Sequence, residues 1–248
     1  MGYNGLFVAG GIQVIIKGRR RAITLIFTVT LIAAIALILN NNFAESSTTG
    51  EPEIIAVTNH ADYAISGDLS GLVGFADYIV TGHYEEFIEN WDMGEKYISD
   101  VYKFVIDKVN YGDVSGEIEV AIPHYQQLST IVEGQQYEAE IDLPNYTQPE
   151  KGQKYILFLK KVEPKNIFTP ASVPFQIEID QTNKGKLKFN NNKNAEKEVL
   201  TKSKKEKIVF SIESDSDNIE ALDTITGKTL EDLESQITKG VSLKNNKN

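Results

Sequence analysis

The chain of 248 residues has no cysteine, only three histidines and one tryptophan, and no arginine beyond Arg21. Each shortage excludes something. Without cysteine there is no disulfide framework, no thiolate metal site and no lipoprotein anchor, so the fold must be held by its hydrophobic core. The missing arginine removes the bidentate contacts to phosphate and guanine that nucleic-acid recognition relies on. The first 44 positions contain no acidic residue, and no basic residue occurs between Arg21 and Lys96.

Those two gaps frame the most informative stretch. Lys17, Arg19, Arg20 and Arg21 stand directly before the apolar run 22–39, in which Thr24, Thr28 and Thr30 are the only polar residues. Eighteen helical residues would be about 27 Å long, close to the roughly 30 Å hydrocarbon core of a bilayer. Because the basic flank stays in the cytoplasm, the sequence predicts a single-pass signal-anchor with its C-terminal part extracytoplasmic. The lipid bilayer is then a partner through 22–39, with the four basic residues at its inner surface. Two alternatives stand beside this one. Cleavage near Ala44 would release a secreted protein, although Asn42 is a poor outer residue for a small-x-small site; or the run is a buried soluble helix. The earlier stretch from Gly5 to Ile16 is too short and too glycine-rich to span, and Leu6 stands where N-myristoylation requires Ser or Thr.

Charge divides the remainder of the chain. Residues 45–183 hold eight Lys against 24 acids, a net of −16; residues 184–207 hold nine Lys against three acids, +6; and residues 208–240 hold two Lys against eight acids, −6. An acidic body of this kind repels a phosphate backbone and excludes nucleic acid as a partner, while the Lys-rich segment suits anionic lipid or a cell-wall polymer. The abundance of Asn, Lys and Ile suggests a low-GC Gram-positive source.

Periodicity predicts a mainly β protein. Asp68 is placed to cap a short helix that turns Leu69, Leu72, Val73 and Ala76 to one side. Strand patterns run from Tyr78 to Phe87, Tyr97 to Val109, Glu117 to Ile122, Tyr137 to Leu143 and Tyr155 to Val162. The last contains the continuous apolar run of a central strand. Phe175 to Ile179 and Leu187 to Phe189 read as a hairpin across Asn183-Lys184-Gly185. Ile208, Phe210 and Ile212 alternate once more, and Thr229 to Gly240 has a Thr cap, early acids and Gly240 as its stop, the pattern of a terminal helix. The expected organisation is a cytoplasmic segment 1–21, the span 22–39, a stalk 40–66, a β domain 67–190, a Lys/Asn-rich linker 191–207, a strand and helix 208–240, and a tail 241–248. The expected fold is a small OB-like barrel or sandwich with a short preceding helix, a C-terminal helix and one transmembrane helix.

The order Leu72…Ala76-Asp77-Tyr78-Ile79-Val80-Thr81-Gly82, then Tyr102-x-Phe104-x-Ile106 before Gly112, then Ile118-x-Val120, then Gly152-x-x-Tyr155-Ile-Leu-Phe-Leu159, resembles exported Gram-positive proteins of unknown function. It also looks like the netrin-module and metalloproteinase-inhibitor type of OB-like barrel, over residues 68–190. The resemblance implies a barrel framework and a ligand-binding role. It does not carry over the inhibitory mechanism, because the animal inhibitors present an N-terminal cysteine to a protease zinc.

Chemistry is sparse. His60-x-Asp62 and His83-Tyr84-Glu85-Glu86 are candidate metal ligands if they converge, with His124 as a third histidine, but neither has the His-Glu-x-x-His spacing. No Gly-x-Ser-x-Gly, phosphate loop or dinucleotide glycine pattern occurs, Ser70 reads as a helix residue, and no cofactor is implied. Glu85, Glu86, Glu89 and Asp92 are the densest acidic group, suited to weak calcium binding or to a solvated face. Asp215-Ser-Asp217 lacks the rest of a calcium loop. Trp91, in an expected polar connection, could stack on a sugar, anchor a partner or close a barrel end. The expectation is a non-enzymatic, membrane-anchored binding or interaction module with a cell-wall or protein partner. The alternative is an extracytoplasmic hydrolase or metal-dependent enzyme using His60, His83 or His124.

Overall fold

Five consecutive apolar residues, Tyr155 to Leu159, are completely buried, and the layers of the fold are set by that strand. Tyr155, Leu157 and Leu159 point one way into a core with Val80, Tyr84, Tyr102, Phe104, Ile118, Val120 and Phe168. Ile156 and Phe158 point the other way, into a second core with Leu72, Val73, Ile177, Leu233 and Ile237. Alternation along a strand sends neighbours to opposite faces, so only a strand covered on both sides can be apolar throughout.

The computed structural model describes residues 13–15, 51–163, 165–190, 194–214 and 219–246, and it is mainly β with a C-terminal helix. In chain order the elements are β1 (Gln13–Ile15), β2 (Glu53–Ala61), α1 (Leu69–Phe75), β3 (Tyr78–Asp92), β4 (Tyr97–Tyr111), β5 (Glu117–Val132), β6 (Gln135–Asp142), β7 (Lys154–Val162) and β8 (Ile167–Pro170). They continue with β9 (Gln176–Ile179), β10 (Gly185–Leu187), β11 (Asn194–Leu200), β12 (Glu206–Ser214), α2 (Ile219–Leu222) and α3 (Leu230–Asn245).

The larger sheet runs β10-β9-β7-β3-β4-β5-β6, and β8 pairs with both β7 and β5. The β7–β8 pairing is antiparallel and the β5–β8 pairing parallel, through Val120 and Phe168. The hydrogen-bonded path from β7 through β3, β4, β5 and β8 therefore leads back to β7. The smaller sheet is β1-β2-β12-β11, with β2 and β12 parallel. It packs Val57, Ile208, Phe210 and Ile212 against Leu128, Ala139 and Ile141 of the β5–β6 hairpin. Long β5 thus serves two layers, pairing β4 over its first part and β6 over its second.

Local signals hold where they are local. Asp68 Oδ1 accepts from the Gly71 amide at 2.9 Å and caps α1, whose Leu69, Leu72 and Val73 are buried. Thr229 Oγ1 accepts from the Asp232 amide at 3.2 Å and caps α3. Gly240, however, is not the stop. The helix continues to Asn245, and a Cβ at Gly240 would lie 3.3 Å from Val73 Cγ1, so this glycine allows α3 to lie close against α1. The apolar face resumes through Val241, which packs on the same core.

Three other expectations are corrected. The stalk expected over 40–66 is a paired strand across Glu53–Ala61, because β12, about 150 residues later, supplies its partner. The linker expected over 191–207 contains β11, an antiparallel strand on β12. The connection expected around Trp91 is strand, with Trp91 paired to Ser99. Among the described residues no helix is long and apolar enough to cross a membrane; the run 22–39, the basic residues 17–21, Ala44 and the Asp215-Ser-Asp217 group lie outside the described residues.

Candidate functional site

Strand β4 directs Asp100, Tyr102 and Phe104 to one face, and two of the three suit the core they enter. Asp100 is the exception, a carboxylate left only 6 % exposed. A buried charge of this kind persists only when donors replace the water it has lost. Four side chains supply them. Asn90 Nδ2 donates to Oδ1 at 2.7 Å and Tyr146 Oη to Oδ2 at 2.7 Å; Tyr102 Oη lies 3.4 Å from Oδ2, and His124 Nδ1 lies 3.1 Å from the carboxylate.

Two of the donors, His124 and Tyr146, are aimed by local irregularities of the chain. The β4–β5 register slips between Ile98 and Ser99, which pair with Tyr125 and Pro123, so His124 is the extra residue of a bulge, a device that re-aims a side chain. Tyr146 lies beyond β6 in a turn closed by its amide to the Leu143 carbonyl at 3.0 Å. Its ring then stacks on His124 with centroids 3.9 Å apart and planes 14° apart. Burial, then hydrogen bonding to Tyr102 and Asp100, pushes the Tyr146 phenol well above its ordinary pKa; burial likewise raises Tyr102. Both phenols therefore keep their protons and remain donors. With Nδ1 turned to Asp100, the His124 ring directs Nε2 outward, 3.8 Å from the exposed Asp142. An imidazole oriented by a buried carboxylate is one component of general-base chemistry, although among the described residues no hydroxyl is hydrogen-bonded to its Nε2.

Tyr146 also forms a wall of a cleft of about 450 Å³. Ile122, Pro123 and Leu143, the segments 160–162 and 169–175, and Tyr63 and Phe75 complete its lining. Tyr63 is fixed by a 2.9 Å hydrogen bond to the Tyr97 hydroxyl, and burial raises both of these phenols. Asn145 lines the cleft as well; its Nδ2 donates to Ser214 Oγ at 3.1 Å, while its Oδ1 is buried without a hydrogen-bond partner among the described residues. Concavity, mainly apolar walls and a few polar groups are the common features of a small-molecule site.

The residues picked out by sequence are placed differently. His60 is exposed on β2 with Nδ1 3.4 Å from Glu213, and His83 on β3 has Nδ1 3.8 Å from Asp107. Asp62 borders the cleft. His60, Asp62 and His83 are not brought together, and among the described residues no group of three or more His, Cys, Asp or Glu side chains is placed to hold a metal. The reason is topological: each histidine sits on a different strand and faces a carboxylate from a neighbouring one. Glu85, from the acidic group, is held by Lys103 at 2.8 Å, which keeps its carboxyl below the usual range. Trp91 packs with Val101, Ala121 and Ile167, and Lys165 Nζ lies 4.5 Å from its ring centroid, so it lines no part of the cleft. Asp100, Tyr146 and Asn90 escaped sequence reading. One signal was present, an acid two residues before Tyr102 on a face otherwise apolar.

No protein-family model matches this chain, and no curated protein or solved structure is detectably similar to it. The strand-pattern resemblance over residues 68–190 therefore stands on the sequence alone.

Proposed function

We propose that this chain is a membrane-anchored extracytoplasmic binding module built on an OB-like barrel, with its ligand seat in the cleft beside Tyr146. The observation that carries the binding role is the cleft itself, about 450 Å³ with mainly apolar walls, reached from the Asp100 cluster through Tyr146. The barrel reading is supported by the returning path of β7, β3, β4, β5 and β8, since five strands closed by one parallel pairing match a partly open OB barrel. The anchor reading is supported by the Lys17, Arg19, Arg20 and Arg21 cluster before 22–39. It has one structural consequence. A span at 22–39 would hold β1 and β2 on opposite sides of the bilayer, so the anchored state and the β1–β2 pairing seen in the structure exclude one another.

Two measurements test the proposal. The neutral fluorophore 1-aminoanthracene, titrated into the full-length protein in phosphatidylcholine nanodiscs, should bind saturably at one site, and Val162→Trp, which fills the cleft, should abolish it. Because the chain has no cysteine, single Asn4→Cys and Thr48→Cys variants report topology: an impermeant maleimide on intact cells should label position 48 and spare position 4. Labelling of both, or dye binding insensitive to Val162→Trp, overturns the corresponding part.

The orientation of His124 by Asp100 favours a second reading, an extracytoplasmic hydrolase with His124 as base. That reading requires ester turnover lost in His124→Ala. The binding-module reading expects no His124-dependent turnover.

A further inference from the structure

Three lysines border the cleft, and two of them are already neutralised. Lys161 Nζ lies 2.9 Å from Glu163, and Lys188 Nζ lies 2.7 Å from Glu178 with Glu150 at 4.0 Å. Lys160 is different. It is half-buried on β7 and has no hydrogen bond or ion pair among the described residues. Its register partner on β8 is Thr169, also half-buried, also lining the cleft, with no side-chain hydrogen bond among the described residues. Residues directly opposite on an antiparallel pair project to the same face with Cβ atoms about 5 Å apart, so the Lys160 and Thr169 side chains leave the strands as neighbours on one face. A half-buried lysine with no counter-ion among the described residues leaves its charge available to an anion in the cleft, where a charge-assisted hydrogen bond is worth more than a neutral one.

We propose, building on the binding-module reading, that the cleft takes a single-chain amphiphilic carboxylate, its head seated on Lys160 Nζ and Thr169 Oγ1 and its chain along the apolar walls. The charge count selects this chemistry. One unpaired ammonium in a body of net −16 over residues 45–183 matches a monovalent head, whereas a dianionic phosphate would leave a charge uncompensated in an apolar cleft. Polyanions are repelled by the same field, while a single head meeting Lys160 at contact distance is screened from charges more than about 8 Å away at physiological ionic strength. Asp62 and Asp77 also border the cleft, both exposed, and Asp77 lies 4.0 Å from Lys244, so neither occupies the ammonium.

The test uses full-length protein in phosphatidylcholine nanodiscs, with empty nanodiscs as blank, and compares displacement of 1-aminoanthracene by decanoate and by decan-1-ol. Decanoate should bind at least about tenfold more tightly than the alcohol, the size expected of one charge-assisted hydrogen bond. Lys160→Met should remove that preference while leaving the alcohol unchanged, Thr169→Val should reduce it, and Lys161→Met should leave it intact. Equal binding of acid and alcohol, or an unaltered preference in Lys160→Met, overturns the carboxylate seat while the dye still reports a working cleft. Decyl phosphate binding more tightly than decanoate overturns the monovalent head, and failure of the dye to bind overturns the cleft reading itself.

Discussion

Asp100 is the residue on which this end of the larger sheet depends. A carboxylate that receives Asn90, Tyr102, Tyr146 and His124 aligns strands β3, β4 and β5 with the chain segment after β6 in one polar cluster. Asp100→Asn keeps the shape but sets an amide donor against groups that are themselves donors. It should lower stability by about 2–4 kcal/mol, because buried donors lose a charged acceptor. Urea denaturation followed by tyrosine fluorescence measures this. The comparison is Tyr146→Phe, which removes the hydrogen bonds to Asp100 and Tyr102 and should cost about 1.5–3 kcal/mol. Gly82 makes a different demand at the same scale. A Cβ there would lie 2.0 Å from the Val105 carbonyl oxygen, at a register slip of the β3–β4 ladder. Backbone cannot yield as a side chain can, so Gly82→Ala should destabilise by about 1–3 kcal/mol in the same assay.

Among the elements, α3 acts as a clamp on α1. Lys244 in its last turn donates to the Val73 and Gly74 carbonyls at 3.3 Å and to the Ala76 carbonyl, the orphan acceptors at the end of α1. One helix thus caps another through a side chain. Lys244→Met should lower the unfolding free energy by about 1–2 kcal/mol, measured by thermal or urea unfolding, since charged donors to carbonyls are worth roughly 1.5–3 kcal/mol and Met keeps part of the packing. The element of opposite character is β1, whose register sets Gln13 against Thr58. With no native thiols, Gln13→Cys with Thr58→Cys is a clean reporter. In the anchored protein the pair should stay reduced under mild oxidation, and an intramolecular disulfide would place both residues on one side of the membrane.

At the scale of the molecule, buried tyrosines set an alkaline limit. Burial raises the phenol of Tyr155 to about 12, and it raises Tyr84, Tyr97 and Tyr146 as well. The folded state therefore holds protons that the unfolded chain releases near pH 10, and the slope of stability with pH is negative between those values. The contribution is fully present below about pH 10 and lost as pH rises toward the folded values. Stability should fall steeply above about pH 10, with phenolate absorbance and loss of ellipticity appearing together. The full phenolate absorbance of all eleven tyrosines appearing near pH 10 without unfolding would contradict the burial of these rings.

The helix caps Asp68 and Thr229, the in-out alternation of β5 and β6, and the double-sided burial of β7 were legible because each is decided by residues within a few positions of one another. β2 and β11 were not. Their apolar content is modest, and they become strands only because β12, far along the chain, offers both of its edges. The sequence by itself determined a mainly β body with a C-terminal helix, its acidic charge, and the absence of any thiol or arginine chemistry after residue 21. Only the tertiary structure decided that Asp100, His124, Tyr146 and Asn90 meet, that His60, Asp62 and His83 do not, and that Lys160 borders a cleft with no counter-ion among the described residues. Alternation and capping are short-range consequences of backbone geometry, whereas convergence depends on strand order and on a single slip of register at His124, which no local pattern encodes.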